Sequence, residues 1–354
     1  MSKLPINFSK SGKLPDVEVD ILGQIYHVHS TVLRLNSGFF DKGLSDTWWK
    51  PENTHTDHIN GLKYRYRLVI DKSDITCSFV EPFGPGAISA TNTQYFTQKE
   101  RLDLAATYNQ LFGLLYSRPF KNKHATRGSE DYIQNLIQLL SLADAYQALP
   151  TIAPKVHTEL ISWWFTDKTV YFSKVKLLKN LLTIAVKIKS RGIYNDVYVH
   201  LVGMHLHSKG SLYLAMETMD IPEDLRYIIE KESRRIMTIQ LYAERRVSRF
   251  KDEYIKQKDL FISGYNLHAH HPSCIRNYYS TIVGLGLNHG IIPEFSELLS
   301  VNVEYLKNPG ERYKYLMCAK KLEDEDFPWS VEADGDLEDG EDGHEDSGYD
   351  ESDR

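Results

Sequence analysis

Seven residues, HAHHPSC at positions 268–274, bring three imidazoles and a thiol (His268, His270, His271 and Cys274) close enough together to hold zinc. Zinc takes nitrogen and sulfur ligands in sets of four, usually as two pairs separated by a folded segment, and no second pair is visible. The stretch therefore reads as a polar loop between helices, with a metal site as the sharper alternative. HVHSTVLRLNSGFF, residues 27–40, also places two histidines two apart, where an extended chain would turn both to one face. A third ligand is missing nearby, so His27 and His29 are assigned to packing. GxSxG, HExxH, Walker and CxxC patterns are absent, and GLGLNHG at 284–290 has no strand leading into it. The expectation is a protein without catalytic, cofactor or metal chemistry.

A second kind of chemistry is electrostatic. Residues 231–258 hold nine basic side chains against four acidic ones, including Arg234, Arg235, Arg245 and Arg246. Ile229, Ile236, Ala243 and Phe250 recur at seven-residue spacing, so one helix would present an apolar seam and a basic face. A solvated face is expected there. A nucleic-acid contact through the four arginines is the alternative, although no aromatic interleaving accompanies the charge. Residues 323–354 hold 16 acidic residues and one basic, while residues 1–322 hold 41 basic and 32 acidic, net +9, so the overall charge of −6 conceals a basic body and an acidic tail. The tail lacks apolar residues to offset ordering entropy and is expected to be disordered.

Positioning these groups needs folded elements. The chain has 354 residues with 42% hydrophobic and 25% charged, which fits a globular protein of two folded units. No stretch approaches the roughly 18 apolar residues of a membrane span, and the three cysteines, Cys77, Cys274 and Cys318, are widely spaced and odd in number. An intracellular protein, in nucleus or cytoplasm and without a membrane partner, is the expectation. VEVDIL at 17–22 alternates, pauses at Gly23-Gln24 and resumes as QIYHV, which predicts a hairpin. Thr31 is the candidate cap of a helix burying Val32, Leu33, Leu35, Phe39 and Phe40 on one face. YRYRLVID at 64–71 reads as a third strand, and residues 72–104, rich in Gly, Pro, Ser and Thr, as an insertion loop. Residues 132–149 show helical period, Pro150 and Pro154 punctuate a further helix, and nearly everything beyond Thr166 is helical, including 291–306 and 310–322.

That order resembles the BTB/POZ domain. Asp16-Val17 opening the first strand, Gly at the turn, Tyr26 and His27 to His29 entering the helix, Val32-Leu33, Ser37 and Phe39-Phe40 carry the resemblance. LFGLLYSRPF and LLSLADAYQALPTIAPKVHTEL extend it, so that it covers about residues 15–165 and looks most like fungal members. The implied fold is α+β: a flexible N-terminus (1–14), a BTB/POZ-like domain (15–165), a helical domain (166–322) and the acidic tail (323–354). The resemblance makes Asp16, His29, Ser37, Phe39 and Phe40 the fold signature and implies a protein-interaction adaptor. It implies homodimers packed through the early helices, with Val32 and Leu35 near the seam, and protein partners engaging Trp48, Trp49 and Glu52. Two departures are visible. Relatives often place a basic residue after the histidine, where it pairs with the first-strand aspartate, and Ser30 stands there. Members serving as ubiquitin-ligase scaffolds often carry a hydrophobic residue two before a glutamate, whereas WWKPE puts Trp49 three before Glu52.

Overall fold

The computed structural model describes residues 4–9, 12–45, 66–70, 79–80, 97–120, 130–166, 175–207, 221–254, 294–305 and 316–329. Met1–Lys321 forms one compact unit and Leu322–Arg354 a second. The expected N-terminal and helical domains thus share one unit, apart from Leu322. Trp48, Trp49, Glu52, the HAHHPSC segment and residues 330–354 lie outside the described residues.

The first unit is α+β. Its five-stranded mixed sheet runs in the order β1 (Ile6–Asn7), β3 (Gln24–Val28), β2 (Val17–Ile21), β4 (Tyr66–Ile70), β5 (Phe79–Val80). Alternation in VEVDI buries Val17, Val19 and Ile21 completely and leaves Glu18 and Asp20 toward the other face. The hairpin turn is Leu22-Gly23, both at positive φ, and the Gly23 N–H donates to Asp20 Oδ1 at 2.7 Å. This turn lies one residue earlier than the sequence suggested, because Gln24 already pairs with Ile21. Strand β4 runs parallel to β2, which requires a crossover, and two short helices supply part of it: α1 (Ser30–Asn36) and α2 (Gly38–Gly43).

One continuous helix was expected after His29, and the chain instead breaks at Ser37, whose backbone is extended. Val32 and Leu33 of α1 and Phe40 of α2 are buried, while Leu35, on the flank of α1, is 75% exposed. Residues 98–104 and 79–80 also depart from the expected insertion loop. The former open α3 (Gln98–Leu115), started by a reciprocal cap in which Thr97 Oγ1 accepts from the Glu100 N–H and Glu100 accepts from the Thr97 N–H.

Helices α4 (Glu130–Ala145), α5 (Leu149–Thr166), α6 (Val175–Lys187), α7 (Arg191–His207), α8 (Glu223–Tyr254) and α9 (Glu294–Leu299) follow. Helix α5 starts before both prolines, with Pro150 in the first turn and Pro154 inside the helix. α4 packs on α6, α6 on α7, and α7 on α8, which joins the sheet half to the helical half. The seam Ile229, Ile236 and Ala243 of α8 is fully buried. Helix α7 is buried from Gly192 to Gly203, as expected of a helix surrounded on all sides.

Of the two late segments expected to be helical, 291–306 holds α9 at Glu294–Leu299 as expected, whereas the described residues 301–305 and 316–322 are not helical. Val301 bridges Met317 in parallel, and Leu316, Met317, Cys318 and Ala319 are buried in succession, a run that a one-faced helix cannot bury. In the second unit, Glu323–Trp329 is locally ordered rather than tail-like: Asp324–Asp326 makes one 3₁₀ turn, and the Phe327 and Trp329 rings lie 5.3 Å apart. Among the described residues no helix is long and apolar enough to cross a membrane.

Candidate functional site

Four groups of side chains do something beyond filling space, and the first lies at the end of β3. The His29 imidazole meets the Tyr116 hydroxyl through Nδ1 at 2.7 Å and the Lys13 carbonyl through Nε2 at 3.1 Å, while the His29 N–H donates to the same hydroxyl at 2.6 Å. His27 meets Asn7 Oδ1 at 2.6 Å and Glu18 Oε2 at 3.3 Å. Both ring nitrogens of each histidine are engaged by protein, which makes them ties between strand, helix α3 and N-terminal segment. Tyr116 is half-buried and burial pushes its hydroxyl up to about 12.

Beside them, Asp16 receives the Ser30 N–H on Oδ1 at 2.7 Å and the Ser30 hydroxyl on Oδ2 at 2.5 Å. Thr31, expected to cap, sits inside the first turn, and His29 at the cap position makes no side-chain cap. The cap comes instead from Asp16, fourteen residues earlier in sequence. Ser30 offers Asp16 both an N–H and a hydroxyl, so the aspartate is satisfied by the helix end itself.

The second group joins α2 to α4. Ser37 Oγ donates to the Tyr146 carbonyl at 2.6 Å and accepts from the Phe40 N–H at 3.2 Å. The Gly38 and Phe39 N–H groups donate to the Gln147 and Tyr146 carbonyls. Free N–H groups at one helix start thereby satisfy free carbonyls at another helix end. Phe40 stacks on Tyr146 at 5.2 Å, Phe39 meets the same ring edge-on at 5.1 Å, and the Tyr146 and Tyr108 hydroxyls are 2.7 Å apart. Phe40 is therefore a core residue of this junction and Phe39 half-buried beside it, and a Cβ at Gly38 would push the Gln147 amide aside, coming 2.5 Å from its Oε1.

The third group is polar and central. Asp196 on α7, fully buried, accepts the Glu304 N–H at 2.6 Å and the Tyr305 N–H at 3.1 Å, tying residues 301–305 to the helix. Burial raises its carboxyl to about 6 despite those two bonds, and nearby Glu304 adds to the rise. One turn on, His200 is also fully buried and desolvation drives it down to about 3, so it is neutral. Gly192 lets the Tyr305 ring lie against α7: a Cβ would overlap that ring and come 2.7 Å from Glu304 Oε2. Asn302 completes the segment, its amide donating to the Cys318 and Ala319 carbonyls. Nothing local in the sequence announces this centre, because each partner is about a hundred residues away.

The fourth group is the basic run on α8. Arg235 makes a two-pronged contact with Glu232, at 2.7 and 2.6 Å, and also reaches Glu297 on α9. Glu232 further accepts the Lys320 N–H at 2.8 Å. The hydrogen bonds to Glu232 hold Arg235 well above its ordinary pKa. Arg246 pairs with Glu294 at 3.2 Å, and exposed Arg234 pairs with Glu230 at 3.2 Å. Arg245 is exposed. Two of the four candidate arginines therefore hold α9 against α8. Aromatic residues do share the exposed face with Arg234 and Arg245, contrary to expectation, since Tyr227 and Tyr242 are largely exposed. Among the described residues no three His, Cys, Asp or Glu side chains are grouped to hold a metal ion. Comparison of the chain with protein-family models, with curated proteins and with solved structures returned no match.

Proposed function

We propose that this chain is a non-enzymatic protein-interaction adaptor with a BTB/POZ-like N-terminal half that self-associates and a helical half that holds a partner protein. The supporting observation is the connectivity: a hairpin, two short helices as crossover, a strand returning parallel to the first strand of the hairpin, then helices packed on the sheet. Leu35, apolar and 75% exposed on α1, supports self-association through the early helices. The polar groups described above are consumed in holding elements together, which suits a scaffold. An intracellular role, partner binding through Trp48, Trp49 and Glu52, and a fungal origin belong to the same reading; the spacing of Trp49, three before Glu52, argues against assuming a ubiquitin-ligase connection.

Light scattering at high micromolar concentration tests it. A dimer that Leu35→Glu converts to a folded monomer is the expected result; a monomeric parent protein overturns self-association. The second reading, a nucleic-acid-associated regulator, draws on Tyr227 and Tyr242 beside Arg234 and Arg245. It requires binding to single-stranded nucleic acid that weakens steeply with salt and falls when Arg234 and Arg245 are neutralised.

A further inference from the structure

The outward face of α8 is chemically unlike the rest of the helix. Tyr227, Arg234, Leu241 and Arg245 follow one another at i, i+7, i+14 and i+18, a single stripe opposite the buried seam of Ile229, Ile236 and Ala243. Met237 and Tyr242 flank that stripe, and Tyr227, Met237, Leu241 and Tyr242 are each more than half exposed. Scattered exposed apolar residues need no explanation, but four large ones on and beside one stripe, within about 22 Å of one helix, form a patch. Tyr and Arg are also the residues that anchor interfaces.

We infer that this face of α8 is the docking surface for an acidic amphipathic helix of a partner protein. Charge complementarity selects the sign: from residue 230 to 245 Lys231, Arg234 and Arg245 are exposed along the stripe against Glu230, half-buried and paired with Arg234, while the exposed carboxylates Glu223 and Asp224 are confined to the helix start before Tyr227. Geometry selects the form. A helix offers no backbone edge for strand pairing, whereas a stripe of apolar anchors several turns long suits a second helix laid along it. Met237 and Leu241 select protein over nucleic acid, because aliphatic chains make poor stacking platforms for bases. The pairing of Arg235 and Arg246 with Glu232, Glu297 and Glu294 also withdraws cations that phosphates would need.

The inference deepens the adaptor reading and rests on it. The test places the photo-crosslinking residue p-benzoylphenylalanine at position 237 of the full chain, expressed in its native host, and sequences the adducts. Adducts should carry a peptide of another protein with apolar residues at i, i+4 and i+7 flanked by Asp or Glu. A synthetic copy of that peptide should bind the full chain at least tenfold more weakly when Leu241→Glu and Arg245→Glu are combined, with the unfolding transition unchanged. Adducts confined to the same chain, adducts to nucleic acid, peptides lacking that pattern, or no adduct at all overturn the assignment. A dimer in light scattering without such adducts removes this surface and leaves self-association standing; acidic-peptide adducts on a monomer do the reverse.

Discussion

Replacing Asp196 by Asn should change how stability depends on pH, in a direction fixed by its surroundings. Its carboxyl sits at about 6 in the folded chain against 3.8 when solvated, so the folded state binds more protons between those values. The contribution is fully favourable below pH 3.8, is lost as pH rises through 6, and stays lost above. A rise of about two units corresponds to about 3 kcal/mol. His200, one turn away, works oppositely: its pKa of about 3 lies below the ordinary 6.5, so its contribution is present above 6.5 and is lost as pH falls. In the parent protein the two slopes oppose each other between pH 4 and 6. Asp196→Asn removes one of them. Asn also supplies one carbonyl oxygen where the carboxylate supplied two, which leaves the Glu304 or Tyr305 N–H without its acceptor at a cost of about 1–3 kcal/mol. Near pH 7.5 that loss and the relieved burial of charge should nearly cancel. At pH 4.5 the variant should fall behind the parent by a further 2–3 kcal/mol, about the linkage value. Urea unfolding at half-unit steps from pH 4.5 to 8 measures the difference. A difference that stays flat across that range refutes the assignment of a raised, proton-binding carboxylate.

Asp16→Ala should destabilise the fold by about 1–2 kcal/mol, read as a lower urea midpoint, because the Ser30 N–H and hydroxyl both lose their acceptor, whereas Ser30→Ala should cost less than half as much. Ser37→Ala should cost about 1–2 kcal/mol and speed hydrogen exchange at the Phe40 amide. Gly192→Ala should displace the Tyr305 ring, destabilise by about 1–3 kcal/mol, and loosen the Glu304 and Tyr305 amides in the same exchange experiment. Unchanged exchange at residues 304 and 305 would show that the ring is not held against α7.

Periodicity reveals what neighbours in sequence decide. The hairpin, the strand at 66–70 and the seam of α8 were all legible, because alternation and seven-residue spacing report burial directly. The Thr97–Glu100 cap was equally legible from its spacing, but it lay in polar sequence read as loop. Other features depend on distant chain. Leu35 counts with its neighbours as buried by its spacing, yet the buried face of α1 is centred on Val32 and Leu33 and leaves it outside. Thr31 is a good capping residue that loses the position to Asp16. Residues 231–258 count nine cations in sequence, but two of them, Arg235 and Arg246, are paired with Glu297 and Glu294 of α9. The Asp196 centre gives no local signal at all, since its donors come from 108 and 109 residues away.

The junction of α2 with α4 bears on how the chain is made. The N–H groups at Gly38 and Phe39 donate to the carbonyls of Gln147 and Tyr146. A ribosome must therefore extend the chain past residue 147, and clear it from the exit tunnel, before the first helices can be closed off. Until then Phe40, which ends up pressed on Tyr146, is bare. Early helices that wait this long for their partner are a natural station for a chaperone, and a truncation just short of residue 146 should be degraded rather than accumulate as a folded fragment.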